Sequence, residues 1–413
     1  FSRNSAATRV NAQGLVENVQ ILSSNLVQNG DFSEEGVQEV SNGSFSQEGS
    51  ELITNGDFAT DSDWGLGTNW SISGGSLNAA AATATAFQQN TGIVTNKTYK
   101  VTYTISNYVS GSVRIEIGSA NVSVGTIRSA NGTYTEYITA LGDDAVYFDG
   151  ISAFTGSIEN CSVREVGQDW TLGGGWSIAE DKAVCDGTNS PMDQYSVTTI
   201  GKTYKVDITV ADMTTASVTI RLGTSSSDII GSIIANGTYT FYGTVASSTT
   251  FRIRSGAGFD GSITNISVKE VLQDWSVEDY GAVSASAVIT PNTEGVKLEK
   301  TVSADWRSSF LVQPISYTVG SQYKITFRLK NGNLPSGGSV YVRRAYDSSS
   351  QSIVNNLTLT NDWVEYTYYF VADSNSEDIS FGEVNWQNAG VGEYFYIDDV
   401  SVIEITDDTN LPR

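Results

Sequence analysis

Residues 97–105 read KTYKVTYTI, and the pattern returns as KTYKVDITV at 202–210 and as QYKITFRLK at 322–330. In each stretch apolar residues alternate with polar ones, which is the period of a β-strand that is buried on one face only. Working outward, residues 95–170 overlay on 200–275 at a constant offset of 105 without a gap. The sequence therefore contains a duplicated β module.

A third, more distant module follows the two that are duplicated. We place the modules at 51–166, 167–271 and 272–405 and call them the first, second and third copy. Their strands are separated by NGT, SGG and NGN turns, so we predict an all-β chain of three tandem antiparallel β-sandwich domains of the jelly-roll type. Each copy closes on a strand whose apolar residues are spaced by three and then by two, which predicts a β-bulge beside Asp398 and Asp399 in the third copy.

A second repeat, with a period of 13, lies before the modules. Its units are NLVQNGDFSEEGV (25–37), QEVSNGSFSQEGS (38–50) and ELITNGDFATDSD (51–63). Asn-Gly signals a tight turn, and the Phe after it is a buried anchor that 13 residues cannot bury alone. We expect the units to stack on one another or on the same units of neighbouring chains. Residues 1–24 are predicted to anchor or oligomerise the chain, 25–63 to form the tandem repeats, and 406–413 to form a C-terminal linker.

Composition removes several classes of function. The 413 residues include no His, so the chain cannot form a Ser-His-Asp triad or a His-ligated metal site. The net charge of −23 disfavours nucleic acid as a partner. The sequence has no run of 18 apolar residues, so we predict no membrane insertion. Cys161 and Cys185 are predicted to be buried free thiols, because Cys161 aligns with Ile266.

Three motifs together resemble a known class of modules: NGDF followed by Trp64 and Trp70, TYKVTYTI at 98–105, and YIDDVSV at 396–402. They resemble the jelly-roll carbohydrate-binding modules that are appended to glycanases. Separately, residues 1–17, the NGDF units and DDTNLPR at 407–413 are similar to segments of large virion proteins of tailed bacteriophages. This second resemblance implies a virion surface, fibre or tail-associated location, a homo-oligomer such as a trimer, other virion proteins as partners, and a natural chain that continues beyond NLPR.

Tryptophan is the first candidate for sugar recognition, because its flat face stacks on pyranose CH groups beside hydrogen-bonding side chains. Trp306 with Arg307, and Trp386 with Asn385 and Gln387, lie in polar stretches of the third copy and are the predicted glycan contacts. The other aromatic candidates recur at equivalent positions or open a strand and are predicted to be core residues: Trp64, Trp70, Trp170, Trp176 and Trp363.

Carboxylates are the second kind of candidate. Related modules often hold a structural Ca²⁺, so Asp57 and Asp398 are predicted ligands, with solvated surface carboxylates as the alternative. Asp143 and Asp144 differ from their counterparts in the other copies but fall in a predicted turn, and no unique pair fits a glycosidase. We therefore predict that the chain is not an enzyme and requires no cofactor.

The leading hypothesis is a non-enzymatic structural protein of a phage virion surface or fibre, tail- or capsid-associated, whose β-sandwich modules bind cell-surface or environmental glycans. One alternative is an architectural spacer or capsid decoration without a ligand site. Another is the accessory binding region of a polysaccharide depolymerase.

Overall fold

The chain is all-β, as the alternation predicts. The computed structural model describes residues 8–10, 16–18, 20–118, 121–142, 144–279, 285–289, 295–300, 309–334, 339–345, 351–373, 377–383 and 391–407. Within these ranges the secondary structure consists of antiparallel strands and one short 3-10 helix, Ser226–Asp228. None of the described segments is a helix with the length and apolar character needed to cross a membrane.

The strands divide into four groups along the chain. The N-terminal region holds β1 (Thr8–Val10), β2 (Val16–Asn18), β3 (Gln20–Asn25), β4 (Glu35–Gln38) and β5 (Glu48–Glu51). The first copy holds β6 (Gly65–Leu66), β7 (Trp70–Ser73), β8 (Ser76–Ala82), β9 (Thr85–Gln89), β10 (Thr98–Ile117), β11 (Gly132–Thr139) and β12 (Ala145–Val166). The second copy holds β13 (Thr171–Leu172), β14 (Trp176–Ala179), β15 (Lys182–Asp186), β16 (Pro191–Gln194), β17 (Thr203–Thr215), β18 (Val218–Leu222), β19 (Ile229–Ile233), β20 (Gly237–Thr244), β21 (Phe251–Ser255) and β22 (Asp260–Val271). The third copy holds β23 (Ser276–Asp279), β24 (Ala285–Ile289), β25 (Val296–Lys300), β26 (Ser309–Ile315), β27 (Gln322–Asn331), β28 (Ser339–Arg343), β29 (Ser352–Thr358), β30 (Val364–Val371), β31 (Glu377–Glu383) and β32 (Tyr394–Asp407).

Each copy pairs its strands in the same order. The third copy has one sheet in the order β24-β25-β32-β27-β30 and a second in the order β23-β26-β31-β28-β29, and the second copy repeats both arrangements. In the first copy β10 and β12 are long enough to run through both layers, with register shifts between Ser106 and Ser112, so one eight-stranded sheet results. The closing strands carry the predicted register shift in all three copies. In the first and third copies Asn160 (φ 53°) and Asp399 (φ 49°) adopt the left-handed conformation there.

The buried apolar residues form three clusters, and each cluster coincides with one copy. The alternation of β10 explains the arrangement, since Tyr99, Val101, Tyr103 and Ile105 are all at most 1% exposed. Cys161 and Cys185 are buried free thiols, as predicted, and burial raises the pKa of Cys161. The division into three independently folding domains with the boundaries given above stays a prediction.

The 13-residue units do not stack on one another, so that expectation is wrong. Phe32 of the first unit lies in the cluster of the third copy, Phe45 of the second unit in that of the second copy, and Phe58 of the third unit in that of the first copy. The strands beside the units follow the same reverse order, because β3 pairs with β32, β4 with β22 and β5 with β12. The first copy therefore lies, in sequence, between the two parts of the second, and both lie between the two parts of the third.

The turn of each unit fits against the closing strand of its copy. In the second copy the carbonyl of Gly43 accepts a hydrogen bond from the backbone N–H of Ile266 at 2.9 Å. A Cβ on Gly43 would lie 2.2 Å from the Ile266 carbonyl oxygen, so only glycine allows this approach. The equivalent bonds join Cys161 N to Gly56 O and Val400 N to Gly30 O, both at 2.8 Å.

A tryptophan and a glutamine hold each unit in place. In the second copy the Trp170 ring lies 5.5 Å from Phe45 and its Nε1–H donates to the Asn42 carbonyl at 3.2 Å. The buried Gln194 side chain donates to the Ser41 carbonyl (2.9 Å) and accepts from the Ser41 N–H (2.8 Å). The same contacts recur with Trp64, Phe58, Gln88 and Thr54 in the first copy, and with Trp275, Phe32, Gln313 and Gln28 in the third.

Candidate functional site

The repeated tryptophans are core residues, as predicted. Trp64, Trp70, Trp170 and Trp176 are 3–7% exposed, and each donates its indole N–H to a backbone carbonyl. A buried indole with a satisfied N–H cannot stack on a ligand. These residues therefore explain the fold rather than a binding function.

The glycan contacts predicted from the sequence lie outside the described residues. These are Trp306, Arg307, Asn385, Trp386 and Gln387. Their role stays a prediction.

Trp363 was predicted to be a core residue, and this is wrong. It is half-buried, and it directly precedes β30, whose first residue Val364 pairs with Leu329 of β27. Its ring lies 6.2 Å from the ring of Tyr396 and 5.0 Å from the guanidinium carbon of Arg328. Because side chains alternate along a strand, Trp363 lies with Arg328 on the sheet face opposite the buried Leu329.

Two tyrosines of β32 extend this aromatic surface. Tyr394 and Tyr396 alternate with the buried Phe395 and Ile397, so they lie on the outer face of the sheet and are half-buried. Their ring centroids are 5.3 Å apart at 81°. We call the surface formed by Trp363, Tyr394 and Tyr396 the aromatic face of the third copy.

Three cationic side chains border the aromatic face. The Lys297 amine lies 5.0 Å from the centre of the Tyr394 ring, and the Lys330 amine lies 5.9 Å from that of Tyr396. Arg328 also forms ion pairs, at 3.4 Å with Asp398 and 3.1 Å with Asp399. The face thus combines flat apolar rings with hydrogen-bond donors and carboxylate acceptors, which is the chemistry that a saccharide needs.

The other copies lack these side chains at the equivalent positions. Strand register places Trp363 where the first and second copies have Asn131 and Asn236, since Val364, Gly132 and Gly237 occupy the same place opposite β27, β10 and β17. It likewise places Tyr396 where the other copies have Ser157 and Ser262, and Lys330 where they have Ser106 and Ala211. The aromatic face is therefore a property of the third copy and not of the shared fold.

The two predicted calcium ligands have different surroundings. Asp57 is exposed in the turn of the third unit and accepts a hydrogen bond from the Ala59 N–H at 3.2 Å. Asp398 is 5% exposed and faces Arg328 across the bulge. In the described part of the chain, no three residues among His, Cys, Asp and Glu are grouped so as to hold a metal ion. Calcium binding stays a prediction.

Asp144, one of the two acids that stood out between copies, has a structural role. Its Oδ1 accepts hydrogen bonds from the Thr91 hydroxyl and from the Ile93 N–H, both at 2.8 Å. Its neighbour Asp143 lies outside the described residues.

The aromatic face could have been found in part from the sequence. GEYFYIDD at 392–399 has aromatic residues at both the inner and the outer positions of the strand, whereas FTGSIEN at 154–160 has Thr and Ser outside. The contribution of Trp363 could not be found this way, because the side of the sheet on which it lies depends on the register of β30.

Comparison with known proteins gives distant structural likenesses. No protein-family model matches the sequence, and no curated protein matches it. A structure described as "CBM4 structure and function" is 19% identical, with 32% of this chain and 86% of that chain covered and a TM-score of 0.24. The N-terminal CBM22-1-CBM22-2 tandem domain from Paenibacillus barcinonensis Xyn10C is 11% identical, with 58% and 94% covered and a TM-score of 0.23. A structure of Sulfolobus Turreted Icosahedral Virus is 12% identical, with 83% and 90% covered and a TM-score of 0.20. Likenesses this weak carry no argument about function.

Proposed function

We propose that the chain is a non-enzymatic, glycan-binding protein, and that the aromatic face of the third copy holds the saccharide. The observation that carries this proposal is a difference between the copies at three matched positions. Trp363 stands where the other copies have Asn, Tyr396 where they have Ser, and Lys330 where they have Ser or Ala. A half-buried aromatic cluster is costly to leave in water, so its presence in one copy of three favours a ligand.

Sugar binding follows from the chemistry of this face. The rings of Trp363 and Tyr396 offer apolar surface for the CH groups of a pyranose. Lys297 and Lys330 can donate to hydroxyl oxygens, and Glu299, which is half-buried and forms an ion pair with Lys297, can accept from hydroxyl groups.

Binding to a glycan array tests this proposal. Trp363→Ala and Tyr396→Ala should each weaken binding about tenfold or more, as expected for aromatic residues at the centre of a contact. Tyr195→Ala, which removes a 54%-exposed tyrosine of the second copy, is the matched control and should bind like the wild type. Equal binding by all three variants would refute the aromatic face. Loss of binding in Trp306→Ala or Trp386→Ala alone would move the site to the residues predicted from the sequence.

We further propose that the chain is an oligomeric component of a bacteriophage virion surface, in a fibre or on the tail or capsid. The support is the resemblance of residues 1–17, the NGDF units and 407–413 to virion proteins, together with a net charge of −23 that keeps a densely displayed surface solvated. Mass spectrometry of purified particles should detect this chain in stoichiometric amounts, and its absence from intact particles would refute the location.

A further inference from the structure

The outer face of the second copy carries an unusual group of positive charges. Arg252 and Arg254 lie on β21, and Arg221 lies directly opposite Arg252 on the adjacent strand β18. All three side chains are half-buried. Like charges that face each other across a strand pair are destabilising, so this arrangement in a chain with twice as many acids as bases calls for a compensating group.

Arg252 has that compensation from a directly paired carboxylate. Its Nε and Nη2 donate to the two oxygens of the buried Asp193, both at 2.7 Å, as a two-point pair. Among the described residues, no carboxylate lies within ion-pair distance of Arg221 or Arg254. Within the described part of the chain, the three guanidinium groups thus have a single ion pair, that of Arg252 with Asp193.

Arg221 is the least satisfied of the three. Its Nη1 donates to the Ser225 carbonyl at 3.1 Å, but its buried Nε has no hydrogen-bond partner in the described structure. Asp228 is close enough to favour the charged form of Arg221, yet its Oδ2 accepts from the Ser225 N–H and the Ser247 hydroxyl. Burial, followed by the neighbouring guanidinium groups of Arg254 and Arg252, lowers the pKa of Arg221.

The first copy carries carboxylates on the same face. Register places Glu116 where the second copy has Arg221, and Asp149 where it has Arg254. Both acids pair with Arg114, at 2.7 Å and 3.2 Å. The fold therefore accommodates carboxylates at these positions, and the second copy has arginines instead.

We propose that Arg221, Arg252 and Arg254 form an oxyanion site that binds a sulfate or carboxylate group of a ligand. The planar guanidinium group matches the paired oxygens of both anions, and a bound oxyanion supplies negative charge to Arg221 and Arg254, for which the described residues provide no ion pair. This site lies on a different copy from the aromatic face, so it stands independently of the glycan proposal.

The test follows the arginine Nε–Hε NMR signals of the full chain during titration with sodium sulfate or sodium acetate, with chloride used to keep the ionic strength constant. The Arg221 and Arg254 signals should shift and saturate with at least one of the two anions. Saturation with sulfate alone assigns the site to sulfate esters, with acetate alone to carboxylates, and with both to either group.

Variants separate a site from general screening. Arg254→Gln should weaken binding about tenfold and Arg254→Glu should abolish it. Arg254→Lys, which keeps the charge but loses the planar fork, should bind more weakly than the wild type and more tightly than Arg254→Gln. Arg164→Gln is the control, because this half-buried arginine of the first copy already pairs with Glu51 at 3.4 Å. Shifts that do not saturate, or an affinity that is the same in Arg254→Gln and the wild type when both are folded by circular dichroism, would overturn the proposal.

Discussion

Replacing Phe45 with alanine should destabilise the second copy by about 3–5 kcal/mol, which is the usual cost of removing a buried phenylalanine. Phe45 is 1% exposed and packs on Trp170, and Trp170 in turn contacts Phe251 at 6.3 Å. The substitution leaves a cavity in the centre of this cluster. Trp170 and Phe251 lie more than 120 positions after Phe45 in the sequence. The loss of stability should therefore not be confined to the 13-residue unit.

Hydrogen-exchange mass spectrometry reads each copy separately. Protection should fall in β17 of the second copy and stay unchanged in β10 of the first and β27 of the third. The matched control is Val37→Ala, which truncates a 77%-exposed residue of β4 and should change stability by less than about 0.5 kcal/mol. Equal loss of protection in all three copies would show that the units support one common core, and no loss would show that Phe45 is not an anchor.

The strands and their faces could be predicted from the sequence because alternation is local. Tyr323, Ile325, Phe327 and Leu329 read as one buried face of β27, and each is at most 1% exposed. The bulge beside Asp399 could also be predicted, since an extra residue interrupts the spacing of Ile397, Val400 and Val402. The contact that the bulge makes could not be predicted. At the bulge the Val400 N–H donates to the carbonyl of Gly30, which lies in a distant part of the chain.

The partners of the 13-residue units could not be predicted by pattern alone. A short tandem repeat normally stacks on its neighbours, and nothing local distinguishes that arrangement from docking onto separate cores. One feature of the sequence favours docking onto separate cores. The number of NGDF-type units equals the number of copies, three each, although only the first copy has such a unit directly before it. The nested order of the pairs needs the structure, because Phe32, Phe45 and Phe58 are chemically equivalent anchors.

The candidate site shows the same limit. Trp64 and Trp363 both follow polar residues in the sequence. Trp64 is nevertheless 7% exposed in a core, whereas Trp363 lies half-buried on an outer face. The difference arises from the sheet register and from the Asn55 carbonyl that accepts from the Trp64 indole. Neither the sheet register nor this hydrogen bond can be predicted from composition and residue spacing.

A chain that begins at Glu35, and so lacks residues 1–34, should lose the fold of the third copy and keep that of the other two. The deletion removes Val27 and Phe32 from the third cluster, the pairing of β3 with β32, and the two hydrogen bonds between Gln28 and Gln313. Losing one large buried side chain costs about 3–5 kcal/mol, and a domain of this size is stable by only about 5–15 kcal/mol. We therefore expect β27 and β32 to lose protection from hydrogen exchange.

The nested order makes the consequences of truncation sequential. A chain that begins at Glu48 lacks β4 and Phe45 as well, so the second copy should fail in addition to the third, while the first keeps β5 and Phe58. Adding a synthetic peptide of residues 20–34 to the shorter deletion should restore protection of β27 and β32 in a saturable manner, and the same peptide carrying Phe32→Ala should not. Loss of the first copy before the third would contradict the nesting. Recovery with the Phe32→Ala peptide would show that strand pairing by β3, rather than burial of the phenylalanine, completes the third copy.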